Sequence, residues 1–224
     1  MKQKMKKKIA IILQSRKNSE RCKNKMLRKF GNSNLFKIAL DKLKKMKSSK
    51  NFNIYIAVGE PEFYKILKNY NFKIIHRDKT SVNGQSIDEI WNYFSNIEED
   101  FLLFINPCAP FLKTSTIKKA INKFQSSNIK SLTTVLTKFT WFFNDKFLPI
   151  NNNSAGNTKK LKPIYECTHS FHIINKKFLL KNGKYWTNKK QDPSLYEVGI
   201  LESLDIDTEQ DFKFIENIYK NMMK

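Results

Sequence analysis

At 224 residues the chain has room for one well-packed α/β domain but is short for two, and 40% hydrophobic residues with 18 Phe exclude global disorder. The net charge of +22 is concentrated near the start, where residues 1–30 hold nine Lys and three Arg against one Glu; an anionic ligand and a Lys-rich compositional bias both account for it. Three scattered cysteines (Cys22, Cys108, Cys167) exclude a disulfide framework, and no run approaches the roughly 20 apolar residues of a membrane span, so a cytoplasmic protein is expected.

Residues 9–13 form a short apolar run of mostly β-branched side chains, as expected of a strand buried on both faces. Five apolar residues are too few for the core of a signal peptide. A polar, basic loop follows over 14–31. Leu35, Phe36, Ile38, Ala39, Leu40, Leu43 and Met46 then recur at helical spacing. Residues 54–58 predict a second buried strand, and Gly59-Glu60-Pro61 opens a helix through Leu67. Strands are predicted over 72–75 and 101–105. Between them come a loop over 77–86 and a helix carrying Ile87, Ile90, Trp91 and Phe94. Thr114 is the expected N-cap of a helix with Ile117, Ala120, Ile121 and Phe124 on one face.

This alternation implies a mainly parallel sheet covered on both faces over 9–130. Residues 131–150 and 168–175 read as strand-like, around a polar loop over 151–161 that is expected to be mobile. A final helix is predicted over about 209–222, with Phe212, Ile215 and Ile218 or Tyr219 on one face. The organisation expected is one domain: a nucleotide-binding portion 9–130, a substrate and dimerisation portion 131–200, and a terminal portion 201–224. Ligands of open parallel sheets sit at the carboxyl ends of the strands, which directs attention to loops 14–31, 77–86 and 106–114.

The first of these loops gathers Ser15, Arg16, Ser19, Arg21 and Lys25 directly after a buried strand. Arg grips phosphate bidentately, Lys acts as a point charge, and hydroxyls and backbone N–H groups complete such a cradle. A solvated charge run is the bland alternative. Near the other end, Asp205-Ile206-Asp207-Thr208 precedes a helix. In extended chain, residues i and i+2 share a face, so Asp205 and Asp207 form a pair of hard oxygen ligands suited to Mg²⁺. Thr208 with Asp211, or Asp207 with Gln210, also has the spacing of a capping box.

The loop after the first strand resembles the A-R-x-x-S-K-x-x-x-x-K-N signature of the acylneuraminate and 3-deoxy-manno-octulosonate cytidylyltransferases. Arg16, Ser19 and Lys25 fall on its Arg, Ser and later Lys, while Glu20 and Met26 depart from it. Asn106-Pro107-Cys108-Ala109-Pro110-Phe111-Leu112-Lys113-Thr114 is similar to the family's Q-P-T-S-P-L-R-T. Residues 77–86 loosely resemble its R-P-x-x-L-A-x-D, with Arg77 retained, Ser86 near a family Ser and Gly84 able to allow close backbone approach. Asp205-Ile206-Asp207-Thr208-Glu209-Gln210-Asp211-Phe212 closely resembles the terminal D-I-D-T-x-x-D-[FW].

The resemblance implies a Rossmann-like (GT-A-like) nucleotidyltransferase, a three-layer sandwich with a small strand-rich insertion. It further implies transfer of CMP from CTP to a nonulosonic or octulosonic sugar acid, with release of pyrophosphate, for surface glycan biosynthesis. Arg16 and Lys25 would bind the CTP phosphates, and Asp205 and Asp207 would hold Mg²⁺, with Asp207 needed for turnover. Ser15, Ser19, Arg21, Arg77, Ser86 and Asn106 are the remaining expected nucleotide contacts. Asn106, Glu166 and His169 are expected at the sugar, and a homodimer is expected. His169 and His172 are not expected to share a metal, because strand geometry sends them to opposite faces. Two alternatives stay open: a nucleotidyltransferase of the same fold using another base or a sugar or polyol phosphate acceptor, and a basic nucleic-acid binder displaying Trp141, Phe142 and Phe143. No nucleic-acid-binding motif is present, so the second is not the expected partner class.

Overall fold

The computed structural model describes residues 7–47, 52–84, 86–151, 158 and 161–222. The expected loop over 151–161 therefore falls largely outside the described residues. Seven strands form one sheet in the order β3-β2-β1-β4-β6-β5-β7. β1 (Ile9–Gln14), β2 (Asn53–Val58), β3 (Lys73–His76) and β4 (Phe101–Ile105) run parallel. β6 (Ile164–Asn175) is antiparallel to β4 and to β5 (Leu132–Lys138), and β7 (Ser194–Glu197) pairs parallel with β5. The predicted α/β class and mainly parallel sheet are what the chain forms.

The alternation of β1 explains the layering. Ile9, Ile11 and Leu13 face one layer, where α1 (Leu35–Lys47), α5 (Thr114–Ser126) and α8 (Glu209–Met222) contribute Leu40, Phe124 and Phe212. Ala10 and Ile12 face the other, against Trp91 of α4 (Ile87–Trp91), Phe94 of the 3₁₀ turn that follows and Leu179 of α6 (Lys176–Asn182). α2 (Pro61–Leu67) begins with proline at its first turn, where a missing N–H costs nothing. Three further differences from the sequence reading have local causes. β3 starts at Lys73 rather than Phe72. A short helix, α3 (Lys79–Asn83), interrupts the expected loop 77–86 because Asp78 accepts a hydrogen bond from Ser81 N at 2.7 Å. Lys113, not Thr114, is the N-cap of α5; it offers no side-chain cap, and its backbone N–H donates to Glu202 of α7 (Ile200–Ser203) at 2.9 Å.

Only the first part of 131–150 is strand. Residues 139–150 form an arm closed by a Phe143–Pro149 bridge, and Phe139, Trp141, Phe143, Phe147, Leu148 and Ile150 on it are exposed. Trp141 and Phe143 are thus not core.

Candidate active site

The loop after β1 and the segment before α8 meet at the carboxyl ends of the parallel strands. Three anchors bring them together. The Phe30 ring, fully buried, packs edge-on to Phe212 at 5.3 Å and against Tyr219 at 5.1 Å. Arg28 lies over the Phe212 ring and pairs with Glu209 at 2.9 Å. Gly31, at φ +57°, turns the chain in the left-handed region that favours glycine and donates its N–H to Glu216 at 2.9 Å. The 106–113 turn is joined in as Ile206 N donates to Cys108 O at 3.2 Å, and Asn106 Oδ1 accepts from Cys108 N at 2.8 Å.

The result is a cleft of about 380 Å³ lined by Ser15, Arg16, Ser19, Arg21, Lys25, Arg77, Asn106 and Asp207. Arg21 lies 3.0 Å from Asp207 Oδ1 and Lys25 Nζ 3.6 Å from the same oxygen, while Lys25 also donates to Ile206 O. Asp205 Oδ1 is buried without a hydrogen-bond partner. Burial, then the neighbouring Asp207 charge, pushes the Asp205 carboxyl above its ordinary value, with Lys25 acting the other way. A buried carboxylate oxygen with no donor, beside a second carboxylate, is a donor set that a hard cation satisfies. Helix capping does not compete for it. Thr208 N and Oγ1 donate to Asp211 Oδ2 at 2.7 and 2.8 Å, and Asp211 N donates back to Thr208 Oγ1 at 3.2 Å. The Thr208–Asp211 box closes the helix end without drawing on either the Asp205 or the Asp207 side chain; Asp207 lines the cleft, and the buried Asp205 interacts with Asp207 and Lys25.

Arg77 forms the floor. It is 2% exposed, and its guanidinium donates to Ser81 Oγ at 3.1 Å, to Ser81 O and to Ser15 O at 3.4 Å. With the Gln14 amide nitrogen donating to Tyr93 Oη at 2.7 Å, the Gln14 oxygen accepts from both terminal Arg77 nitrogens at 3.2 and 3.3 Å. Arg77 thus spends its donors on the protein and fixes the ends of β1 and α3. Arg16 makes one long contact, to Val82 O at 3.5 Å, and the Ser15 hydroxyl is buried without a partner.

A smaller cavity of about 170 Å³ adjoins this cleft and shares Gln14, Asn106 and Pro107 with it. Trp91, Phe104, Ile105, His169, His172 and Tyr185 complete its wall, with the Trp91 and Tyr185 rings stacked at 4.9 Å. His169 therefore lies beside the cleft. Its neighbour corrects a geometric expectation. His169 adopts φ +52°, and the β5–β6 register shifts between Thr133 and Val135, so that His169 Nδ1 and His172 Nε2 come within 3.2 Å instead of pointing to opposite faces.

Ser86 and Glu166 are not brought to either cavity. The Ser86 hydroxyl accepts from Glu89 N at 3.2 Å in a capping box of α4, and Glu166 pairs with Lys138 at 3.0 Å across the β5–β6 ribbon. Gly84 does allow close approach, but to its own α3: a Cβ there would lie 2.8 Å from Thr80 O. Gln14, Trp91 and Tyr185 were missed as site residues. Gln14 is signalled by its place at the carboxyl end of β1, whereas nothing local marks Tyr185.

Residues 10–223 match the family model described as cytidylyltransferase. No curated protein matches the chain. Among solved structures, a CMP:2-keto-3-deoxy-manno-octonic acid synthetase complexed with CTP superposes with TM-score 0.69 at 10% identity, covering 96% of this chain and 99% of that one. The 4-diphosphocytidyl-2C-methyl-D-erythritol synthase from Anaerococcus prevotii DSM 20548 gives 0.64 at 14% identity, over 96% and 99%. The bifunctional IspDF from Campylobacter jejuni gives 0.61 at 16% identity, over 92% of this chain and 53% of its own. These likenesses establish the Rossmann-like nucleotidyltransferase fold.

Proposed function

The chain belongs to the cytidylyltransferase family, a nucleotidyltransferase by that membership, and from this premise we propose that it transfers CMP from CTP to a sugar acid of nonulosonic or octulosonic type, releasing pyrophosphate, in the making of a surface glycan. The observation that carries the reading is the convergence of Arg21 and Lys25 on Asp207 in a cleft at the sheet's carboxyl end. Three cationic side chains there, Arg16, Arg21 and Lys25, neutralise a triphosphate so that an incoming hydroxyl oxygen can approach the α-phosphorus. The new oxygen–phosphorus bond forms as the bond to the β-phosphate oxygen breaks. Lys25, held by Ile206 O, is placed to meet charge developing on the transferred group. Asp205 and Asp207 would hold Mg²⁺, which supplies charge neutralisation of the phosphates when bound. The two similar structures, one a CTP complex and the other a diphosphocytidyl-erythritol synthase, support cytidine as the base.

The acceptor belongs in the smaller cavity. Its ionisable groups are His169, His172 and Tyr185, with no Lys or Arg among its described lining residues. That wall suits hydroxyls and at most a single carboxylate, and gives a dianionic phosphate little to bind. A sugar acid therefore fits better than a polyol phosphate.

The exposed apolar arm, with Phe147 86% exposed, favours a second copy of the chain as its cover, hence a homodimer. Light scattering on the intact protein tests this: Phe147→Asp should shift a dimer toward monomer. For the reaction, the protein is incubated with Mg²⁺, each of the four NTPs and a panel of sugar acids and sugar phosphates, and pyrophosphate is measured. Release with CTP and a sugar acid is expected. Release only with a sugar or polyol phosphate would replace the acceptor, and none with any pair would sink the reading for that panel.

A further inference from the structure

The bulge that turns His169 toward His172 also faces both toward Cys167. One ligand atom from each of the three lies within 4.8 Å of the others. His169 Nδ1 is 3.2 Å from His172 Nε2 and 3.9 Å from Cys167 Sγ. Tetrahedral coordination with metal–nitrogen bonds of about 2.0–2.1 Å and a metal–sulfur bond of about 2.3 Å requires nitrogen–nitrogen and nitrogen–sulfur edges of roughly 3.4 and 3.6 Å. The two edges that meet at His169 Nδ1 depart from these by a few tenths of an ångström, and the His172–Cys167 edge is at most 4.8 Å.

The surroundings prepare the donors. Thr133 Oγ1 lies 2.8 Å from His172 Nδ1, which fixes that ring and leaves Nε2 turned toward His169. A non-glycine residue held at positive φ within a strand is strained, and such strain persists where the surroundings require it.

We propose that Cys167, His169 and His172 form a three-ligand site for a borderline-soft divalent cation of the Zn²⁺ type, with the fourth position open on the side of the small cavity that the two histidines line. Its sulfur and nitrogen donors separate it chemically from the all-oxygen Asp205/Asp207 pair, which suits Mg²⁺. An oxygen of the acceptor, or water, takes the fourth position.

The test uses the metal-free full chain titrated with Co²⁺ as a spectroscopic substitute for Zn²⁺, followed by Zn²⁺ displacement. One Co²⁺ per chain is expected, with a thiolate-to-cobalt charge-transfer band and the d–d bands of a four-coordinate ion. Cys167→Ser should abolish the charge-transfer band. His169→Asn, which tolerates positive φ at an exposed position, should weaken binding at least about 10-fold. The Asp205→Asn/Asp207→Asn chain should keep the full spectrum. Binding well below one per chain, a charge-transfer band that survives Cys167→Ser, or a spectrum lost with the aspartate pair would each overturn the site. Circular dichroism of each variant confirms the fold. The readout is metal binding alone, so it stands apart from success or failure of the pyrophosphate assay.

Discussion

Arg21 donates to Asp207 Oδ1 at 3.0 Å across 186 residues of chain, so the basic loop after β1 neutralises the acidic pair before α8. Both partners are well exposed, at 69% and 43%. Such a pair contributes at most about 1 kcal/mol to stability. Phosphate oxygens compete for the same guanidinium, and their arrival frees Asp207 for a cation. Arg21→Ala is therefore expected to change stability by no more than about 0.5 kcal/mol while raising KM for the nucleotide roughly tenfold, the worth of one charge-assisted hydrogen bond. Thermal unfolding and steady-state kinetics on the same preparation check both halves.

Lys25 and Asp207 should separate by stability although the proposed reaction draws on both. Each replacement, Lys25→Ala or Asp207→Asn, is expected to lower kcat by about 10²–10³. Lys25 is only 13% exposed at its side chain and donates to Ile206 O, so its loss also costs about 1–2 kcal/mol. Asp207→Asn leaves the Thr208–Asp211 cap intact and should unfold at nearly the native temperature. Near-normal rates in either variant would contradict the assigned role.

Capping offers the reciprocal case. Asp211 accepts from Asp207 N, Thr208 N and Thr208 Oγ1, and burial raises its carboxyl while these hydrogen bonds lower it further. Asp211→Ala should cost about 1–2 kcal/mol by freeing the first turn of α8. Nucleotide affinity should fall far less than in Asp207→Asn. Comparable loss of Mg²⁺-dependent binding in both would show that the cap and the cation share a carboxylate.

How far the chain could be read in advance follows from what each feature depends on. β1, β2 and β4 and α1, α5 and α8 carry their burial in their own patterning, and the loop after β1 with Arg16 and Lys25 and the segment before α8 with Asp205 and Asp207 are marked by their neighbouring elements. The His169–His172 approach depended on a register shift against β5, which no pattern within β6 records. Ser86 and Glu166 read as ligand contacts from a loose family resemblance, yet local partners three residues away or on the paired strand claim them. Tyr185 reaches the smaller cavity by stacking on Trp91, a contact made in the second layer and invisible along the chain.

Lys42 connects the stability of this site to pH. Its ammonium donates to Ala109 O at 2.7 Å, steadying the 106–113 turn from α1. Burial lowers its pKa to about 7, with Glu202 opposing the shift. In the unfolded chain the group keeps its proton up to about 10.4. Between about 7 and 10.4 the unfolded state therefore holds the extra proton, and the free energy of unfolding rises with pH. This contribution is complete above the unfolded value and is lost as pH falls through about 7. Lys42→Met removes the group, and taking the difference cancels every other titration shared by the two proteins. Because solvent still reaches part of the side chain, the gain is on the order of 1 kcal/mol. The native protein should accordingly gain about 2–4 °C in melting temperature on Lys42→Met as pH rises from about 7 to about 10. Parallel melting curves across that range would show instead that the Lys42 ammonium is as well solvated in the fold as outside it.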